Sequence, residues 1–446
     1  MLVEIDLMIY GGIMKQRTYV LIAALLAATS APTMAQLQAG EAPTPEQVQA
    51  GEAPAQIIPE QERVMRELQA QVAAVQWTRQ AAQDLFAYVV RVDEEGLDPA
   101  DYGREALSAA LAAKDDVALS RAATDTFLRL SSDLALGHVR GDGRLEWHTV
   151  DSDLDMQGQY ALMQSAIANN AVWNTLNSLL PTHPQYAELK AVLANATDEA
   201  TRDKVRANLD RWRWLPRDLG RRYVIVNVPA FTVALVEDGQ VVARHKVVVG
   251  KPATATPQLN AVATGVIFNP WWEVPDSIAD EVQGKKGYVS VKNGDKVHYR
   301  QPPGPKNALG QMKVVMPNNY AIYLHDTPSK TLFDRPVRAF SHGCIRTQHA
   351  VDFARLLLGN PQWDKAAIDK ALASGKSVRA NTIAPTPVYI AYFTAAALAD
   401  SKGIKTYADI YSRDTPVLAA LNDKEGTAVV GPPSAITASP GTVGQK

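Results

Sequence analysis

The spacing of apolar residues changes once along this chain, from a helical to a strand-like repeat, and that switch constrains the fold more than any other feature. From Glu62 onward, Val64, Leu68, Val72, Val75, Ala82, Leu85 and Val89 fall at helical intervals, which lays them along one face of a long amphipathic helix. Asp98-Pro99 reads as an N-cap with proline in the first helical position, opening a second helix through Leu107 and Leu111. Further helical runs are expected at 124–136, 160–168 and 201–212. After Leu219 the repeat becomes two. Strands are expected at 223–228, 231–237, 240–249, 261–268, 313–316 and 320–324, with Glu237-Asp238-Gly239-Gln240 as a hairpin turn. Helices return at 348–358 and 365–373, and 386–411 reads as a strand and a helix packing back onto the strands. The fold class is therefore α+β: a helical domain over 61–215, a mainly-β domain over 216–380 and a C-terminal extension over 381–422.

The two ends read differently. Lys15 and Arg17, an apolar run over 19–28, and small residues closing at Thr33-Met34-Ala35 follow the order of a secretory signal peptide, 1–35, cut after Ala35. The run is short for a membrane span, which disfavours an uncleaved anchor. Met14 stands where such a leader normally begins, so residues 1–13 read as an over-extended start. Residues 36–60, rich in Ala, Gln, Glu and Pro, read as a flexible linker, and 423–446 as a disordered tail. The expected location is the periplasm. Lys plus Arg number 45 against 47 Asp plus Glu, so no basic surface offers itself to nucleic acid.

An exported chain that uses cysteine for stability pairs it; here Cys344 is the only one, so it is either a buried thiol or a working nucleophile. Its neighbours favour the second reading. Tyr323-Leu-His325-Asp326 is followed, nineteen residues after the histidine, by Ser341-His342-Gly343-Cys344-Ile345-Arg346. His325 can serve as base, a helix starting near Thr347 and the Arg346 cation can favour the thiolate, and Gly343 allows a close backbone approach. The N–H groups of Gly343 and Cys344 are then candidate oxyanion donors. A metal reading of His342, His349 and Cys344 fits no standard zinc spacing. His138, His148 and His183 read as packing or surface residues, and His245 and His298 sit in no motif.

On these residues the chain resembles the L,D-transpeptidases with a YkuD-type catalytic domain, whose signature is a histidine followed by Ser-His-Gly-Cys-x-Arg. Arg211-Trp-Arg-Trp-Leu-Pro216, Phe268-Asn-Pro-Trp-Trp-Glu-Val-Pro275 and Gln301-Pro-Pro-Gly-Pro305 look like the large, YcbB-like branch, and the helical region would be its scaffold domain. Two departures stand out. There is no room between Pro184 and Asn208 for that branch's peptidoglycan-binding domain, and the segment 278–299 is short for its substrate-capping lid.

The resemblance implies Cys344 as nucleophile and His325 as base, with Asp326 or a backbone carbonyl orienting the ring. Gly343, His342 and Arg346 would support the reacting loop, and Ser341, Tyr323 and Trp272 would line the substrate cleft. It implies cross-linking of peptidoglycan stem peptides through a thioester with release of D-alanine, a role in wall biogenesis and cell shape, and acylation by carbapenems. The chemistry calls for no metal or organic cofactor; other cell-wall synthesis proteins are expected partners. The rival readings are an L,D-carboxypeptidase, anchoring of an outer-membrane protein to the wall through the same thioester, and a non-catalytic wall-binding scaffold.

Overall fold

The computed structural model describes residues 75–423 apart from 150, 152, 295 and 399–401, together with Arg66 and Ala70. The expected leader, linker and tail beyond Asp423 lie outside the described residues, as does most of 61–74.

The N-terminal part is built from helices α1 (Arg79–Val90), α2 (Arg104–Ala112), α3 (Asp116–Leu136), α4 (Met156–Ala168), α5 (Val172–Asn177), α6 (Pro184–Asn195) and α7 (Glu199–Arg213). Several of these starts have a local cause. The Thr78 hydroxyl accepts from Ala81 N at 3.1 Å, and the Asp115 and Asp198 carboxylates do the same for α3 and α7. Asp98 does cap, but it caps a single 3₁₀ turn, Pro99–Tyr102; Gly103, with φ 62°, breaks that turn, so the helix through Leu107 opens six residues later than Asp98, at Arg104. The apolar stripes meet in one core, where Leu85, Val89, Leu107, Phe127, Leu130 and Leu134 are fully buried. Burial of each contributes roughly 1.5–3 kcal/mol.

The second part contains strands β1 (Arg222–Asn227), β2 (Thr232–Glu237), β3 (Gln240–Gly250), β4 (Leu259–Phe268), β5 (Trp272–Glu273), β6 (Val289–Asn293), β7 (Lys296–Gln301), β8 (Met312–Val315), β9 (Leu324–His325), β10 (Ala339–Ser341), β11 (Ile345–Thr347) and β12 (Val378–Ala391), with helices α8 (Ala350–Leu358) and α9 (Lys365–Ala373). Its main sheet runs β10-β3-β11-β9-β8-β4-β12-β1-β2, and β2 pairs back onto β3, so the ladder closes on itself. Closure leaves few free edges. Asp238 (φ 47°) and Gly239 (φ 76°) make the expected β2–β3 turn. Inside the closed sheet Val226, Val247, Val266, Phe268, Leu324 and Ile345 pack with Phe353, Ala354 and Leu357 of α8.

Three expectations need correction. The long helix expected from Glu62 through Val75 to Val89 is interrupted: residues 75–78 are not helical, and α1 starts at Arg79 behind the Thr78 cap. The described residues of 386–411 contain no helix: β12 runs from 378 through 391 as an inner strand, antiparallel to β4 and parallel to β1, and is followed by the short strands β13 (Ala395–Ala397) and β14 (Ile404–Thr406). The helix comes later, as α10 (Asp414–Leu421), and it joins the helical core through Val417 and Leu421. The expected 320–324 strand shrinks to β9, because Ala321 adopts φ 52°.

The Arg-Trp-Arg-Trp stretch ends α7 and fastens the two parts together. Arg211 donates to Asp414 at 2.6 Å and to Thr394 at 3.1 Å, Trp212 stacks between His183 and Phe393, and Arg213 lies fully buried between Asp210 and Tyr186. His183 also caps α6, and burial lowers its pKa to about 4.

Candidate active site

Strands β8, β9 and β11 lie side by side. Lys313 is registered opposite His325, and His325 opposite Arg346. Because side chains alternate along strands, Met312, Val314, Leu324 and Ile345 enter the core while Lys313, Tyr323, His325, Cys344 and Arg346 share the other face. The strand repeat thus gathers residues from three segments into one site.

The Ser341–Cys344 turn is locked by its own hydrogen bonds. The buried Ser341 hydroxyl donates to Cys344 O at 2.6 Å and accepts from Gly343 N at 3.2 Å, while Thr256 Oγ1 donates to Gly343 O at 2.7 Å. Gly343 has φ 110°, and a Cβ there would sit 3.1 Å from Ile322 Cδ1, so glycine is required. Ser341 therefore shapes the turn from inside. The Gly343 N–H, expected as an oxyanion donor, is already engaged by Ser341, whereas the Cys344 N–H has no partner among the described residues. His342 points outward, its Nε2 3.2 Å from Glu281 in the 3₁₀ turn Asp276–Glu281.

The half-buried Cys344 thiol lies 3.5 Å from Ala321 O, to which it donates. Burial raises its pKa, and the Tyr323 backbone N–H, the Tyr323 hydroxyl, Arg346 and Lys313 work in the opposite direction. The helix expected to assist begins only at Ala350, after β11 and a left-handed His349 (φ 49°), so Cys344 is not at a helix N-terminus. Donors from Tyr323 and the two cations take that place.

His325 is buried, and its Nδ1 lies 2.5 Å from the backbone carbonyl of Asp326. A carbonyl only accepts, so Nδ1 carries the proton and Nε2 is the basic nitrogen. Burial, with Arg346 and then Lys313 beside it, lowers the imidazole pKa to about 3; the Asp326 carbonyl opposes this. The ring is orientated by the Asp326 main chain. The Asp326 carboxylate faces elsewhere, accepting from Gln311 N at 2.9 Å and pairing with Lys330.

Tyr323 is placed beside both Cys344 and His325. Its ring centroid is 5.6 Å from that of His325, and burial followed by the nearby Cys344 pushes its hydroxyl pKa up. Trp272 of β5 lies beside that hydroxyl and meets Tyr288 edge-on. Trp272 belongs to the small sheet β5-β7-β6, which rises between β4 and β8 and carries the 278–299 segment. Sequence reading had missed Lys313, Ala321 and Glu281. Lys313 had a usable signal, a lone cation in an otherwise apolar strand; the other two touch the site through a turn and an insertion that no repeat describes.

The chain matches the YkuD family, the L,D-transpeptidase catalytic domain, over residues 221–390, and a scaffold domain over residues 69–193. It is 29% identical over 248 residues to a Haemophilus influenzae protein provisionally named as an L,D-transpeptidase, the match taking in 49% of this chain and 50% of that one. The chain thus spans about half the length of this curated relative. Among solved structures, it is similar to an L,D-transpeptidase from Mycobacterium smegmatis (16% identity, TM-score 0.22, 38% of this chain and 58% of that chain). It is also similar to the catalytic domain of the E. faecium L,D-transpeptidase acylated by ertapenem (18% identity, TM-score 0.18, 39% and 98%). The cysteine, histidine and tyrosine of the site thus lie within an L,D-transpeptidase catalytic domain of the YkuD family, and the helices before it include a scaffold domain.

Proposed function

We propose that this chain is an exported L,D-transpeptidase that cross-links peptidoglycan stem peptides in the periplasm. The observation that carries the reading is a cysteine thiol sharing one sheet face with a histidine kept neutral by burial and by two cations, its Nδ1 fixed by a carbonyl and its Nε2 left basic. Export rests on the leader-like order of residues 15–35.

In the resting site the thiol proton points at Ala321 O. A rotation about Cα–Cβ turns it toward His325 Nε2, which takes the proton as Sγ attacks the carbonyl at the L-centre of diaminopimelate in a tetrapeptide stem. The new oxyanion meets the Cys344 N–H and the Tyr323 hydroxyl. Collapse forms the thioester and breaks the bond to D-alanine, whose nitrogen leaves with the proton from His325. An amine of a second stem then attacks the thioester, loses a proton to His325 and releases the thiol. Arg346 and Lys313 favour the thiolate and make a long-lived imidazolium costly, so the proton is passed on quickly.

Mass spectrometry of muropeptides after incubation with a disaccharide tetrapeptide tests this. Cross-linked dimers lost in Cys344→Ala are expected, and fragmentation identifies the acceptor amine as that of diaminopimelate or of L-alanine. Shortened tripeptide alone would make the protein a carboxypeptidase, and transfer only to a protein amine would make it a wall anchor. Absence of any Cys344-dependent product, with Cys344 also unreactive to a carbapenem, would leave a non-catalytic scaffold.

A further inference from the structure

Most buried arginines in this molecule meet an acid: Arg144 lies 2.8 Å from Asp151, Arg211 2.6 Å from Asp414 and Arg213 3.4 Å from Asp210. The two cations beside His325 do not. Among the described residues neither Lys313 nor Arg346 forms an ion pair or a side-chain hydrogen bond, and Arg346 Nε is buried without a partner. Lys313 Nζ lies over the Tyr323 ring, 5.3 Å from its centroid. Glu273, whose field reaches Lys313, is bonded to Arg300 at 2.9 Å. A half-buried cation without an acid is costly unless a ligand supplies the anion.

The order of strands says which anion. Across the site come Cys344 at the entry to β11, His325 on β9 and Lys313 on β8, the strands being neighbours spaced by about 4.8 Å. The acyl carbon must sit at Cys344, and the leaving nitrogen must reach His325 Nε2. Whatever is attached beyond that nitrogen projects toward β8. In a leaving amino acid the carboxylate carbon lies two bonds from the nitrogen, about 2.5 Å away. We infer that Lys313 binds the free α-carboxylate of the leaving C-terminal residue, so that the site reads the end of the donor peptide and rejects donors whose last carboxylate is amidated or extended. This rests on the transfer reading above and gives a residue to its donor specificity. Arg346 on β11, two residues after Cys344, serves the acyl side.

Binding measured calorimetrically separates this from the reaction. In Cys344→Ala, the disaccharide tetrapeptide ending in free D-alanine is expected to bind about tenfold or more tighter than the same molecule ending in D-alaninamide, the scale of a charge-assisted contact. Adding Lys313→Met should bring the two within about threefold, and Lys313→Arg should keep most of the preference. Equal binding of acid and amide by the Cys344→Ala protein would overturn the inference without any further variant. So would a Lys313→Met effect that weakens both ligands alike. Turnover by the unaltered protein tells the two readings apart. Cross-linking of both donors at equal rates would keep the transferase and remove the carboxylate site, whereas the binding preference without any product would keep the site and remove the transferase.

Discussion

His325 links the acid stability of the fold to its chemistry. In the unfolded chain an imidazole titrates near 6.5, while in the folded site burial and the flanking Arg346 and Lys313 lower it to about 3. Between those values the unfolded chain takes up a proton that the folded one refuses, so stability present above pH 6.5 is lost as the pH falls toward 3. At pH 5 the imbalance amounts to RT ln(1 + 10^1.5), about 2 kcal/mol, against almost nothing at pH 8. His325→Gln retains an amide donor for the Asp326 carbonyl and removes the titration. Urea unfolding of both proteins at pH 8 and pH 5 isolates the contribution, because the other histidines with lowered pKa, His183 and His245, affect both proteins equally. The unaltered protein should lose about 2 kcal/mol more than the variant over this interval. Equal losses would mean that His325 is protonated in the fold, and the neutral thiol–imidazole resting state would be wrong.

Tyr323→Phe should slow acylation of Cys344 by a carbapenem on the order of tenfold to a hundredfold, with the unfolding midpoint little changed, since it removes a hydroxyl that favours the thiolate and faces the oxyanion; stopped-flow fluorescence measures it. Asp414→Leu should cost about 3–5 kcal/mol in chemical denaturation by leaving Arg211 buried without its carboxylate. Gly310→Ala should lower both stability and activity, as φ there is 59° and a Cβ would lie within 2.7 Å of three Asp326 side-chain atoms. Differential scanning fluorimetry and dimer yield report the two effects.

The period switch announced both the helical part and the sheet because each element buries one face, and a face is visible as a repeat. What escaped it was governed by something other than a repeat. The long β12 extends well before the strand expected from 386: Pro385 falls in the register shift between Asn381 and Thr386, and Pro387 is in register opposite Val262. Where a helix is expected within 386–411, the Ala-rich run Ala395–Ala397 instead pairs with Ile404–Thr406. Alanine's helical preference is weak enough for pairing to override it.

At the site, the signature points to Cys344 and His325 as the proposed nucleophile and base because chemistry fixes their types, while their surroundings differ from the expectation. A turn followed by an apolar run suggested a helix N-terminus behind Cys344, while β11 stands there instead and brings Arg346 into register with His325. That strand has a consequence for reactivity. A helix end would offer its partial charge whether or not substrate is bound, whereas Lys313 and Arg346 are full charges held close to a half-buried thiol that still has its proton on Ala321 O. If a substrate carboxylate takes up the charge of Lys313, the thiolate loses part of its support as the donor arrives, and the imidazolium beside it becomes easier to form. Proton transfer from Cys344 to His325 would then be coupled to donor binding, so the pH dependence of carbapenem acylation should differ between the free protein and one mixed with D-alanine, and Lys313→Met should abolish that difference.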